Sequence, residues 1–221
     1  MIETKYKIGI LAFGSLIDNP GEEIKNIEIK RIDCKTPFKV EFSRISRSRS
    51  NAPTLIPIDD DIAKGKRVKA KLIIVDPDII LDDAKSILWR RETHNTSDKS
   101  KIYREPKNPT SKNVLIGELD NFCKTEKVIY TKFLIQSEYK DLTPDQLADF
   151  AINSILGKAG CKEKDGIRYL LSVKRSGIET ELSKKYEEKI LEKTKTKTLK
   201  EAIEKLDIKR KCIQKNNTSC Q

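Results

Sequence analysis

Short apolar stretches separated by turn-forming residues predict several short β-strands in the first 135 residues. The run from Ile8 to Phe13 indicates a buried strand that Gly14-Ser15 ends. Alternation of apolar and charged residues predicts half-buried strands at 38–42 and 68–74. Further strands are predicted at 54–58, 114–119 and 128–135.

One helix interrupts these strands, and helical signals dominate after residue 140. Asp82 or the residue after it can cap the first helix, which is followed by a polar, proline-containing loop at 93–110. Thr143 and Gln146 form a capping box that predicts a second helix. The spacing of apolar residues and a further capping box predict helices at 182–190 and from 198 onward, and residues 167–173 fit a short strand.

The two halves of the chain therefore differ in kind. Residues 1–138 are expected to form a compact β-rich or α+β domain, and residues 139–208 a helical extension packed on it. Residues 209–221 hold few apolar side chains and are predicted to be a disordered basic tail.

The chain is basic, with 45 Lys or Arg against 34 Asp or Glu in 221 residues. Residues 184–221 hold 12 of the basic residues and 6 of the acidic ones. A basic end of this kind can attract nucleic acid or an acidic protein. A solvated helix with a frayed end is the favoured interpretation, and binding of nucleic acid or an acidic protein is the alternative.

Membrane insertion, export and zinc binding are not expected. The chain has no apolar run of about 18 residues, the length that a membrane span needs. Lys5 and Lys7 precede an apolar stretch, but Gly14-Ser15 interrupts it and no small-residue cleavage site follows. The five cysteines form no CxxC pair and His94 is the single histidine, which argues against a zinc site. Free thiols and a cytoplasmic location are therefore expected.

Three segments carry candidate chemistry, and the first directly follows the first predicted strand. Gly14 can adopt a backbone conformation that is closed to other residues. A strand that ends in Gly-Ser can present consecutive N–H groups to a carboxylate or an oxyanion. An ordinary strand-to-loop turn is the alternative, and it is the more common use of this dipeptide.

The second segment is Trp89-Arg90-Arg91-Glu92, at the end of the first predicted helix. Glu92 is expected at the edge of the helix's apolar face. A carboxylate that leans toward a core tends to have a raised pKa, which suits a general acid or base. The alternative is a surface glutamate paired with Arg91, Lys85 or another cation.

The third segment is polar and carries Arg44, Arg47 and Arg49 without an acidic residue. Arginines in this arrangement can bind a carboxylate or a phosphate. A solvated loop is the favoured alternative for this segment.

Together and in order, these segments resemble the gamma-glutamylcyclotransferase superfamily. Residues 10–17, followed by the turn Asn19-Pro20-Gly21, are similar to its strand that leads into Tyr-Gly-Ser-Leu or Tyr-Gly-Ser-Asn. Residues 42–57, which contain the run Ala-Pro-Thr-Leu-Ile-Pro at 52–57, look like its second strand pair. Trp89-Arg90-Arg91-Glu92 resembles the segment that ends in its catalytic glutamate. The resemblance covers about residues 7–135.

The resemblance implies a small mixed β-barrel with flanking helices, and a reaction that needs neither metal nor cofactor. The α-amino group of a γ-glutamyl amide or peptide attacks its own side-chain carbonyl, which releases 5-oxoproline and an amine. Glu92 would be the general acid and base of this reaction. The small γ-glutamyl substrate would be bound by Phe13, Gly14, Ser15, Leu16, Ile17, Arg44, Arg47, Arg49 and Tyr103.

Phe13 departs from the superfamily, which usually has a tyrosine at that position. Any hydrogen bond that the missing hydroxyl made must come from elsewhere, and Tyr103 is a candidate. The leading hypothesis is a metal-independent enzyme that cleaves a γ-glutamyl substrate. The alternative is an inactive barrel that binds a ligand, a protein or a nucleic acid through its basic surface. The retained Glu92 favours the enzyme, and neither the exact substrate nor the oligomeric state follows from the sequence.

Overall fold

In the computed structural model, residues 5–62, 64–135 and 141–218 are described. Its strands are β1 (Tyr6–Ala12), β2 (Glu28–Lys35), β3 (Lys39–Ser46), β4 (Ala52–Ile58), β5 (Lys69–Val75), β6 (Leu115–Phe122) and β7 (Thr125–Lys132). Its helices are α1 (Ser15–Asp18), α2 (Glu22–Ile27), α3 (Leu81–Thr93), α4 (Pro144–Leu156), α5 (Lys158–Cys161), α6 (Gly166–Arg175), α7 (Glu181–Thr194) and α8 (Leu199–Thr218). The predicted α+β class is confirmed.

The chain divides into two compact units. The first combines the residues up to Phe38 with residues 67–134, and the second combines residues 39–66 with those from Ile135 onward. The sequence analysis assigned residues 39–66 to the first domain. Their contacts group them with the helices of the second half instead.

The first unit is built on a five-stranded sheet in the order β2-β5-β1-β7-β6. β1 lies at its centre, antiparallel to β5 and parallel to β7, so the sheet is mixed. Ile10 and Ala12 pack in an apolar cluster with residues of α3, whereas Leu11 packs in a second cluster on the opposite face. Burial on both faces explains why β1 is a continuous apolar run in the sequence.

The predicted barrel is corrected to an open mixed sheet. In the part of the chain that the structure describes, the hydrogen-bond ladders end at β2 on one side and at β6 on the other. β2 pairs with β5 alone, and its register shifts between Glu28 and Lys30. Such a bulge bends an edge strand and interrupts pairing. The sequence analysis missed β2 because charged residues obscure its alternation, as expected of an edge strand.

The second unit consists of the β3–β4 ribbon and the helices α4 to α8. Phe42 of β3 packs edge-to-face against the rings of Tyr169 and Tyr186, with centroids 6.1 and 5.5 Å apart. The capping box that Thr143 and Gln146 form at the start of α4 is confirmed. α4 contacts each of the other helices of this unit and β4.

Two predictions for the second unit are wrong. Residues 167–173 lie in α6 and not in a strand, because the buried Asp165 caps the helix by accepting the N–H groups of Ile167 and Arg168. The tail predicted to be disordered is helical up to residue 218, as a continuation of α8. Arg210, which is 7% exposed and paired with Asp207, anchors this part of the helix. Residues 219–221 lie outside the described residues.

No helix in the described ranges combines the length and the apolar character that crossing a membrane requires.

Candidate functional site

The loop after β1 turns sharply into α1. Gly14 has a φ of 59° and a ψ of −137°, a conformation that favours glycine. The side chain of Leu16 is buried in the same cluster as α3, and the N–H of Ile17 donates to the carbonyl of Gly14. Ser15 and Leu16 open the helix, so their N–H groups have no intrahelical acceptor. This loop can therefore offer backbone donors to an anion.

Arg91 connects this loop to Glu92. One guanidinium nitrogen of Arg91 donates to the carbonyl of Asn19 at 2.5 Å and to that of Ser15 at 3.4 Å. The other nitrogen forms an ion pair with Oε1 of Glu92. The side chains of Arg91 and Glu92 are 16% and 18% exposed. Glu92 is therefore held beside the loop, and it has the cation partner that the sequence analysis considered as an alternative.

Arg90, the residue before Arg91, fixes this end of α3 to its surroundings. Its guanidinium pairs with Glu23 of α2 at 2.6 Å, and both side chains are almost fully buried. It also donates to the carbonyl of Lys101 at 2.8 Å. Arg90 therefore ties the end of α3, on which Glu92 lies, to α2 and to the loop after α3.

Tyr103 anchors the loop that follows α3. Its backbone N–H donates to the hydroxyl of Ser86, and its own hydroxyl accepts the N–H of Ile116 at 3.2 Å. Its ring lies 6.5 Å from that of Trp89, inside the cluster that also contains Leu16 and Ile17. The hydroxyl is thus engaged with the backbone of β6.

Phe13 lies on the other face of the sheet. Its ring packs edge-to-face on Phe38 at 5.8 Å, and Phe38 packs on Tyr130 at 4.6 Å. The five predicted loop residues therefore divide: Phe13 packs in one cluster, and Leu16 and Ile17 pack in the other.

The three predicted arginines lie in the second unit. Arg44 is part of β3, and Arg47 and Arg49 form a short 3-10 turn after it. The guanidinium of Arg49 lies 4.8 Å from the ring centroid of Tyr169 and donates to the carbonyl of Lys164. The structure therefore gives Arg49 partners within its own unit.

The sequence analysis did not foresee the full roles of two charged residues, Arg91 and Glu41. Arg91 was considered as a partner of Glu92, but its contacts to the loop after β1 were not foreseen, because they join residues far apart in sequence. Glu41 of β3 is 1% exposed and accepts the N–H of Phe42 and the hydroxyl of Thr180. Burial raises the pKa of the Glu41 carboxyl. In sequence it occupies the polar position of a half-buried strand and carries no signal of this role.

Within residues 5–62, 64–135 and 141–218, no three potential metal-ligating side chains come together. Comparison with family models, with curated proteins and with solved structures found no match for this chain.

Proposed function

We propose that the first unit is a γ-glutamylcyclotransferase that converts a γ-glutamyl amide or peptide to 5-oxoproline and an amine. The observation that carries the proposal is Arg91, whose guanidinium joins Glu92 to the loop at Ser15 and Asn19. This contact brings together two of the three segments that carry the resemblance to the superfamily, the loop after β1 and the end of α3. The open mixed sheet around β1 would correspond to the superfamily's barrel.

The reaction is an intramolecular acyl transfer. The substrate's α-amino nitrogen attacks its own δ-carbonyl carbon, a five-membered lactam forms, and the amide C–N bond to the leaving amine breaks. Attack within one molecule requires mainly that the enzyme hold the bent conformation in which nitrogen and carbon are close. No covalent bond to the protein is needed.

Glu92 would move the proton that this reaction transfers. The carboxylate accepts it from the substrate ammonium, which frees the nitrogen lone pair, and returns it to the departing amine. Because Arg91 takes Oε1 of Glu92, the ammonium would meet Oε2. The N–H groups of Ser15 and Leu16 would hold the substrate carboxylate or the developing oxyanion.

Neither Phe13 nor Tyr103 offers a free tyrosine hydroxyl to the substrate. Phe13 has no hydroxyl, and the hydroxyl of Tyr103 already accepts the N–H of Ile116. Substrate recognition would therefore depend on the backbone donors of the loop after β1 more than on a tyrosine.

The test is detection of 5-oxoproline by mass spectrometry after incubation of the purified chain with a panel of γ-glutamyl peptides and amines. We expect Glu92→Gln to lower turnover by at least about 100-fold, since general acid–base catalysis contributes that much or more. Glu22→Gln, which changes an exposed glutamate of α2, should keep wild-type turnover and serves as the matched control. Retained turnover in Glu92→Gln would refute the assignment of Glu92.

The absence of product from every substrate would favour the alternative hypothesis of a binding module. Binding through the basic surface should then weaken steeply as salt rises, because charge contacts release counterions.

A further inference from the structure

Two distant segments of the second unit come together beside α5. The short 3-10 turn after β3 contacts α5, and the hydroxyl of Ser50 accepts the N–H of Ala159 at 3.0 Å. The guanidinium of Arg49 donates to the carbonyl of Lys164 at 3.2 Å. The turn is thereby fastened to residues 158–164, although 109 positions separate Ser50 from Ala159.

The end of α8 lies against the same segment. The side-chain amide of Gln214 donates to Sγ of Cys161 at 3.2 Å. Lys211 precedes Gln214 by one helical turn, so the two side chains lie on the same face of α8. Lys211 is therefore placed beside residues 158–164.

These three segments carry a group of cations, which we call the α5 patch. Its members are Arg47, Arg49, Lys158, Lys162, Lys164 and Lys211. All are exposed except Arg49, which is half-buried. Glu163 is the one acidic residue among positions 47–49 and 158–164.

The cations of the α5 patch differ from others of the second unit in having no acidic partner. Lys193 pairs with Asp149 at 2.6 Å, and Arg168 pairs with the buried Asp165 at 2.6 Å. Among residues 5–62, 64–135 and 141–218, no acidic side chain forms an ion pair with a member of the patch. Neighbouring unpaired cations repel one another and attract a polyanion.

The patch offers charge without a surface on which a base could stack. The segments that form it contain no aromatic residue. Tyr169 is 8% exposed, and the guanidinium of Arg49 lies over its ring at 4.8 Å from the centroid. Proteins that bind single strands combine cations with aromatic rings that stack on bases. Recognition of RNA likewise depends largely on unpaired bases and on 2′-hydroxyls.

We propose that the α5 patch binds the phosphate backbone of double-stranded DNA without reading its sequence. A duplex keeps its bases stacked inside and presents regularly spaced phosphates, for which cations alone are sufficient partners. Arg47 and Arg49, which the sequence analysis selected as anion-binding residues, would contact phosphates here. The patch lies in the second unit, so this inference does not depend on the proposed enzymatic function.

The experiment measures binding of the full-length chain to a fluorescently labelled DNA duplex of mixed sequence, by anisotropy at several salt concentrations. We expect the affinity to fall about 100-fold between about 50 and 200 mM salt, since about four phosphate contacts would release their counterions. An unlabelled duplex of different sequence should compete equally well. A single strand of the same length should bind more weakly.

The first variant neutralises three exposed lysines of the patch together: Lys158→Gln, Lys162→Gln and Lys164→Gln. We expect its affinity at about 50 mM salt to fall at least about tenfold, and the slope of log affinity against log salt to become shallower by about 2–3. Arg47→Gln alone should make that slope shallower by about 1, and it keeps the test valid if the triple variant fails to fold.

The matched control neutralises three other exposed lysines of the second unit: Lys195→Gln, Lys197→Gln and Lys200→Gln. Both triple variants lose the same charge. Lys200 lies about 16 Å from Lys211 along α8, because a helix rises about 1.5 Å per residue. This distance exceeds the Debye length of about 10 Å at 0.1 M salt, so the control should bind nearly as tightly as the wild type.

Three results would overturn the proposal. The first is that the wild-type chain does not bind the duplex even at the lowest salt. The second is an equal loss of affinity in the two triple variants, which would reflect net charge and not the α5 patch. The third is tighter binding of the single strand than of the duplex.

Discussion

Each unit holds a glutamate largely away from bulk water: Glu92 at the end of α3 in the first unit, and Glu41 in β3 of the second. The two carboxyl groups have different kinds of polar partner. Glu92 is paired with a guanidinium that also reaches a loop. Glu41 accepts hydrogen bonds from the backbone of Phe42 and the hydroxyl of Thr180. Glu92 keeps 18% of its side chain exposed, whereas Glu41 is 1% exposed.

The difference shows that a perturbed carboxyl is not by itself a mark of catalysis. Burial raises the pKa of Glu41, and perturbed groups of this kind are often found at functional sites. Yet the contacts of Glu41 are structural, because Thr180 is the residue that caps α7. Glu92 is the better candidate because its side chain keeps more exposure and its cation partner joins it to the loop after β1, which can offer backbone donors to an anion.

The largest expected effect is a difference in stability between variants of the two glutamates. Glu41→Ala should lower the free energy of unfolding by about 2–4 kcal/mol, because the N–H of Phe42 loses its buried acceptor and the cap of α7 loses a partner. Glu92→Ala should cost about 1 kcal/mol, as expected of a partly exposed ion pair. Chemical denaturation measured for both variants tests this. Equal losses would contradict this difference, because the two carboxylates would then contribute equally to the free energy of unfolding.

The pH dependence of stability sharpens the same contrast. Burial raises the folded pKa of Glu41, so the folded state holds its proton more tightly than the unfolded chain does. The contribution of Glu41 to the free energy of unfolding should therefore fall as pH rises from the unfolded value of about 4.3 through the raised folded value.

Glu41→Gln keeps an acceptor oxygen but cannot titrate, so its stability should not show this fall. Denaturant unfolding of the variant and the wild type across this pH range measures the difference. Glu188→Gln, at an exposed position of α7, should follow the wild-type curve. A Glu41→Gln curve parallel to that of the wild type would contradict the argument.

Local signals in the sequence predicted the elements that depend on local physics. The continuous apolar run of β1 and the capping box of Thr143 and Gln146 were both found in the structure. α6 was missed because its cap, Asp165, lies just before an apolar run short enough to be a strand. β2 was missed because an edge strand needs few apolar residues.

The candidate site depends on contacts that no local pattern contains. Glu92 and the loop after β1 were chosen from the sequence and the resemblance, and whether they catalyse a reaction stays a prediction. Arg91 bonds to the carbonyl of Asn19, which lies 72 positions earlier in the sequence. Periodicity places Arg91 on a helix face, but it cannot say which loop will lie opposite that face.

The smallest expected change in stability tests these contacts of Arg91. Arg91→Lys keeps the charge, but a lysine ammonium is a point donor and lacks the planar fork that reaches Glu92 and two carbonyls together. We expect the free energy of unfolding to fall by about 1 kcal/mol or less. If the proposed function is correct, 5-oxoproline formation should fall about tenfold or more, because the carboxylate loses its fixed position.

Arg90→Lys is the matched control, since it alters the neighbouring arginine and its buried pair with Glu23. That variant should lose more stability than Arg91→Lys, by about 1–3 kcal/mol, because part of a buried charge network is left unsatisfied. Denaturant unfolding and the 5-oxoproline assay are applied to both. If Arg91→Lys keeps both stability and turnover, then Arg91 does not position Glu92.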